Sequence, residues 1–216
     1  NTYGPLDRLK ALYEEVLSHP EVVGIVIGTR PDCVDEKKLD YLAGLASGRV
    51  LSGWQRSLRR APGPTVQAPV PDTLTAPIVV VEYGIESCHD STLRHINRGH
   101  SFECARKAVE MTAERGIDTG AHFILGLPGE TREMLLDQCG LISSLPLRSV
   151  KFHQLQIVRG TVMEKEYAAD PSAFYRPGLD EYLDFVIDIL ERLRPDLYIE
   201  RVAGEVPPRF VNDTPW

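Results

Sequence analysis

Apolar residues along this chain keep two rhythms, one helical and one extended, in alternation. Leu6, Leu9, Leu12, Tyr13, Val16 and Leu17 recur at helical spacing and predict a helix over residues 5–17. Pro5 suits its first position, and His19-Pro20 stops it, because the residue before proline avoids the α region. Residues 22–27, VVGIVI, are apolar and mostly β-branched, as a strand covered on both faces should be. A second helix over 35–46 carries Leu39, Leu42 and Leu45, and a second strand of the same kind, IVVVEY, spans 78–83. A short helix over 90–97 precedes a longer one that Ser101 caps, that runs to Arg115, and that Gly116 closes. The alternating SVKFHQLQI over 149–157 reads as a strand, Gly160-Thr161 opens a helix, and Leu183, Val186, Ile187 and Leu190 mark an amphipathic helix over 180–193. A short strand over 198–202 ends the series before a proline-rich tail.

The stretch AHFILGLPGET, residues 121–131, organises the rest. A buried strand over 121–125 runs into Gly126-Leu127-Pro128-Gly129, and Thr131 caps a helix to 145 with Glu133 placed well for its macrodipole. Glycines without a Cβ allow a sharp turn or a close backbone approach to a ligand. Strand–helix units repeat four times and a last strand follows, which predicts an α/β fold with a parallel sheet and helical crossovers. Parallel strands bring their carboxyl ends to one edge, where ligands bind. The residues expected at that edge are Thr29, Arg30, Glu82, Glu86, Ser87, His122, Gly126, His153, Gln154 and Gln156.

Residues 47–77 break the rhythm with five prolines and read as a long surface loop inserted in the domain. Its Arg49, Arg56, Arg59 and Arg60, with Trp54, form a basic cluster that suits RNA or an acidic partner, although a solvated insertion satisfies the same pattern. The whole chain is acidic, 24 − 31 = −7, which disfavours generic nucleic-acid or membrane binding. At 43% hydrophobic residues a packed core is attainable; no apolar run is long enough to span a bilayer, and residues 1–7 do not read as a signal peptide. Cys33, Cys88, Cys104 and Cys139 are scattered without C-x-x-C spacing, so they read as reduced thiols of a cytoplasmic protein.

Two readings stay open for the polar residues. Glu82 and Glu86 suit ribose hydroxyls or an ammonium group, or else ion pairs with Arg94 or Arg98. His122 is a core histidine or a ligand contact at a strand end, and Arg98 suits a ligand carboxylate. These residues alone point to an anionic or zwitterionic ligand at one end of a parallel α/β sheet.

Five motifs in order carry a resemblance: GTRPDCV (28–34), VEYGIES (81–87), LRHINRGH (93–100), HFILGLPGE (122–130) and VKFHQLQIVRGT (150–161). Together they resemble the radical SAM superfamily, most closely elongator-catalytic-subunit-like proteins and an uncharacterised bacterial group of iron–sulfur oxidoreductases. The resemblance implies a partial, TIM-barrel-like (β/α) barrel. It also implies a [4Fe-4S] cluster held by C-x3-C-x2-C, reductive cleavage of S-adenosylmethionine to a 5′-deoxyadenosyl radical, and hydrogen abstraction from a substrate. By the same resemblance Glu86 contacts the cofactor, Arg98 reaches its carboxylate, His122 faces its ribose, and the strand end from His153, near Leu155, offers backbone groups to adenine; Thr29, Ser87 and Gly126 complete the set. Gly28 stands where relatives often have glutamate, and the cysteine motif is missing. The expectation is therefore a C-terminal piece of a longer enzyme, covering residues 1–216, that by itself binds no cluster, is inactive, and lacks the first barrel strands. Such a barrel leaves the strand 22–27 as an open edge prone to self-association, which light scattering tests.

Relatives of the elongator type suggest tRNA as a substrate by analogy of fold alone. Two other readings compete. One is an ordinary (β/α)-barrel enzyme on a phosphorylated small molecule, for which Val202-Ala203-Gly204 is the one faint phosphate loop; the other is an RNA-binding module using the arginine-rich loop.

Overall fold

The computed structural model describes residues 2–51, 53–57, 73–204 and 206–211. Along the chain come α1 (Leu6–Ser18), β1 (Gly24–Thr29), α2 (Glu36–Ala46), the short β2 (Arg56–Ser57) and β3 (Thr73–Leu74), β4 (Ile78–Glu86), α3 (Asp90–His95), α4 (Phe102–Ala113), β5 (Asp118–Leu125), α5 (Arg132–Ser144), β6 (Ser149–Gln154), α6 (Val162–Ala169), α7 (Leu179–Arg192) and β7 (Tyr198–Arg201). Five strands pair in the order β1-β4-β5-β6-β7, every pair parallel, so all carboxyl ends share one edge. The sheet is a partial barrel that does not close: among the described residues β1 and β7 each have one strand neighbour.

One face of the sheet holds the core. Side chains alternate along a strand, and in β4 Val79, Val81, Tyr83 and Ile85 are buried, as are Ala121, Phe123 and Leu125 of β5 and Val150 and Phe152 of β6. Leu39, Leu42 and Leu45 of α2, Val109 of α4, Leu135 and Ile142 of α5, and Phe185 and Ile189 of α7 cover them. The opposite, concave face is open: Val26 is 62% exposed and Ile78 47%.

The helices begin where their caps predict. Asp35, Ser101, Thr131 and Thr161 accept hydrogen bonds from the backbone N–H of Lys38, Cys104, Met134 and Glu164. Thr131→Ala removes one such acceptor and should lower the unfolding free energy by about 1 kcal/mol, read from the urea midpoint; an unchanged midpoint would show that the cap contributes nothing.

Several boundaries move. The strand expected over 78–83 continues to Glu86, that over 121–125 starts at Asp118, and that over 149–157 ends at Gln154. The larger correction concerns residues 47–77, which do not form only a surface loop. Arg56–Ser57 and Thr73–Leu74 pair as an antiparallel ribbon, and Trp54 is buried with its Nε1–H donating to the Leu17 carbonyl. Arg56 stacks on Trp54 and donates to the same carbonyl at 3.0 Å. These two residues therefore close the C-terminal end of α1, where unpaired carbonyls favour a cation. Arg49 donates to Ser47, and Arg59 and Arg60 lie outside the described residues. No helix among the described residues is long and apolar enough to cross a membrane.

Candidate functional site

The concave face carries the polar groups. Glu82 and Glu86 on β4, His122 on β5, and Lys151 and His153 on β6 all fall out of phase with the buried alternation. At the carboxyl edge a pocket of about 370 Å³ is lined by Glu86, His122, Ile124, His153, Leu155 and Arg201. Gln154, Gln156, Gly204 and Val206 complete its β6–β7 wall.

Glu86 is held by an unusual backbone. Its φ is +73°, and the β4–β5 register slips between Gly84 and Glu86. A non-glycine residue in this region costs energy that its surroundings must impose. The carboxylate lies 3.1 Å from Arg98, whose Nη2 also donates to the Gly84 carbonyl at 2.6 Å. Gly84 makes room for this pair, since a Cβ there would come within 2.5 Å of both Arg98 Nη2 and Glu86 Oε1. Burial pushes the Glu86 carboxyl above its ordinary range, against the opposing pull of Arg98 and His122.

His122 is oriented from behind. Its Nε2 lies 3.0 Å from Glu82 Oε2, while Lys151 donates to Glu82 Oε1 and sits 3.2 Å from Glu200. Burial works against the Glu82 charge, but Lys151 and His122 outweigh it and hold the carboxyl below its usual range. Lys151 is likewise opposed by burial, and the two glutamates more than restore it. Gly120 leaves the space Glu82 occupies, because a Cβ there would lie 3.2 Å from Glu82 Cγ. The His153 ring packs 5.7 Å from that of His122 and against Gly204. Burial, then the nearby charge of Arg201 and Lys151, lowers its pKa.

Of the residues expected to touch a cofactor, Glu86, His122, His153 and Leu155 meet around this pocket. Arg98 stands behind Glu86, and Gly126 lies against Leu155. Thr29 and Ser87 do not join them. Thr29 hydrogen-bonds Thr2, and Ser87 is fully buried against Glu130 on the helix side. Leu155 lines the pocket with its side chain, but its N–H is bonded to the Leu125 carbonyl and is not available to a ligand. The ion-pair alternative for the acidic residues is realised for Glu86, which pairs with Arg98, whereas Glu82 pairs with Lys151 and His122 rather than with Arg94 or Arg98. The faint phosphate loop is not a free cradle, since the Gly204 N–H donates to Gln154 and the Val202 carbonyl accepts from Tyr182. Arg201 and Gly204 were missing from the expected rim; the only signal was their place at the end of the last strand and just beyond it.

The cysteines do not fit an iron–sulfur cluster. All four are unpaired, Cys88 and Cys139 are buried with burial raising both thiols, and among the described residues no three of His, Cys, Asp and Glu group to hold a metal.

Residues 61–140 match the Radical SAM superfamily and residues 147–216 the Radical_SAM C-terminal domain. An uncharacterised protein of Methanocaldococcus jannaschii is 34% identical over all of this chain, and YtqA of Bacillus subtilis, also uncharacterised, is 31% identical. The chain spans 58% of the length of each. A tRNA uridine(34) acetyltransferase of Dehalococcoides mccartyi is 22% identical over 97% of the chain and 39% of its own length. Among solved structures, Methanocaldococcus infernus Elp3 with an N-terminal deletion superposes with a TM-score of 0.65 at 20% identity, over 88% of this chain and 38% of its own. Coproporphyrinogen III oxidase of Escherichia coli, a radical SAM enzyme, gives 0.59 at 15% identity, over 88% and 37%. With its parallel partial barrel, its motifs in order and both family matches, the chain belongs to the radical SAM superfamily.

Proposed function

We propose that the pocket at the carboxyl edge binds S-adenosylmethionine and that the chain supplies the cofactor-holding half of a radical SAM enzyme. The observation that supports it is the convergence of Glu86, His122 and His153 on one pocket with Arg98 fixed behind. The donor set suits this ligand. The Glu86 carboxylate accepts from an ammonium or from ribose hydroxyls. Glu82, accepting from Nε2–H of His122, leaves Nδ1 of that ring as an acceptor for a ribose hydroxyl. Ile124 and Leu155 offer an apolar wall to a purine. When bound, S-adenosylmethionine supplies radical chemistry; the residues of this chain bind it, orient it and keep water from it.

Isothermal titration with S-adenosylhomocysteine tests the reading. Wild type should bind, and Glu86→Ala should bind at least about tenfold more weakly, the loss of one charge-assisted hydrogen bond. No binding by folded wild type at millimolar ligand would refute the proposal. As substrate class we propose tRNA, on the support of the relatives named as tRNA acetyltransferases. Gel-shift of the full-length protein with unfractionated tRNA, absent at low salt, would count against that part alone.

A further inference from the structure

Glu130 closes the glycine-proline turn after β5 and then points inward, 2% exposed. Its Oε1 accepts from the Ser87 hydroxyl at 2.5 Å. Among the described residues it has no lysine or arginine partner, and burial pushes its pKa up. A carboxylate buried without a cation is a poor way to gain stability, so its position calls for another reason.

That reason lies one residue away. Ser87 directly follows Glu86, whose φ of +73° turns the end of β4. The Ser87 hydroxyl also accepts from the His89 N–H at 3.0 Å, and the Cys88 N–H donates to Gln138 at 3.4 Å, so the exit of β4 is tied down on its buried side. Glu130 itself is fixed by its N–H to the Leu127 carbonyl at 3.0 Å and by Gly129 N–H to Ala173 at 2.8 Å. The exit of β4 and the turn after β5 are thus joined through the buried Glu130–Ser87 contact, with Thr92 a second hydroxyl at the same carboxylate.

We propose that Glu130 is a positioning residue: acting through Ser87, it holds Glu86 in its left-handed conformation and so keeps the Glu86 carboxylate facing Arg98 and the pocket. This rests on the pocket being the S-adenosylmethionine site. Glu130 touches no ligand. With Ser87 unheld, the strained φ of Glu86 is free to relax, and a change of that angle moves its carboxylate off its place opposite Arg98.

The test is a double-mutant cycle on binding of S-adenosylhomocysteine, measured on variants confirmed folded by circular dichroism. Glu130→Ala should weaken binding about tenfold, Ser87→Ala should do the same, and the two together should be no worse than either. Glu130→Gln keeps an acceptor for Ser87 and should bind within about twofold of wild type. On a Glu86→Ala background, Glu130→Ala should have no further effect. Equal binding by wild type and Glu130→Ala, or full additivity with Glu86→Ala, overturns the inference. If Glu130→Ala fails to fold, the Ser87→Ala and Glu130→Gln arms decide it by the same criteria. Wild type that does not bind at all overturns the pocket assignment instead, which keeps the two failures distinct.

Discussion

Gly126→Ala is expected to cost about 3 kcal/mol of stability. Gly126 has φ +90°, where an L-residue is strained, and a Cβ there overlaps the carbonyl oxygen of Tyr175 and reaches 4.0 Å from Leu155 Cβ. Tyr175 cannot easily retreat, because its ring packs edge-on against Phe185 of the buried core at 5.3 Å. Gly129 supplies the internal control. It has φ +81°, but a methyl group added there would meet nothing within 4 Å, so Gly129→Ala should lose only the conformational part, about 1 kcal/mol. Urea unfolding of both variants gives the comparison. Equal losses would show that backbone overlap at Tyr175 plays no part.

Glu82→Leu should cost about 3 kcal/mol, because it leaves Lys151 without its closest carboxylate and His122 without its orienting acceptor. Glu82 and Lys151 side chains are 11% and 17% exposed, so solvent screens the pair little. Glu82→Leu with Lys151→Met should recover most of the loss, since an apolar pair of similar volume removes both desolvation penalties. The pH dependence follows from the sign of the shift. The folded pKa of Glu82 is depressed, so its contribution is present above the ordinary carboxylate value of 4.5 and is lost as pH falls through the lower folded value. Glu86 and Glu130 run the other way: their folded pKa values are raised, and their ionisation erodes stability as pH climbs above 4.5. Between about pH 6 and about pH 3, Glu82→Leu should therefore lose less stability than wild type. A parallel fall in both proteins would contradict the role assigned to this carboxylate.

The architecture was legible because its signals are local. The capped helices at Ser101 and Thr131 name their own elements. VVGIVI names a strand too, although it runs two residues later, over Gly24–Thr29, and leaves Val26 exposed rather than covered on both faces. The strand–helix order then dictates a parallel sheet. Part of the pocket was legible for the same reason, since Glu86 and His153 sit at the ends of β4 and β6 and His122 lies on the same face of β5. Ser87 was misplaced by one step of alternation: if Glu82 and Glu86 share the concave face, the next residue must turn to the other. Thr29 could not be placed, because its partner Thr2 comes from before α1 and nothing in the motif foretells that contact. Trp54 and Arg56 look like a surface cluster until the end of α1 is seen beneath them. Arg201 enters the pocket from the end of β7, and Gly204 through the path of the chain after it, which no periodicity encodes.

The central claim is that one pocket at the carboxyl edge of β4, β5 and β6 receives S-adenosylmethionine. A crystal structure of this chain grown with saturating S-adenosylhomocysteine tests it most directly. The account predicts ligand density between Glu86 and Leu155, with the ribose beside His122. Density seated anywhere else, with this pocket holding only water, would contradict it.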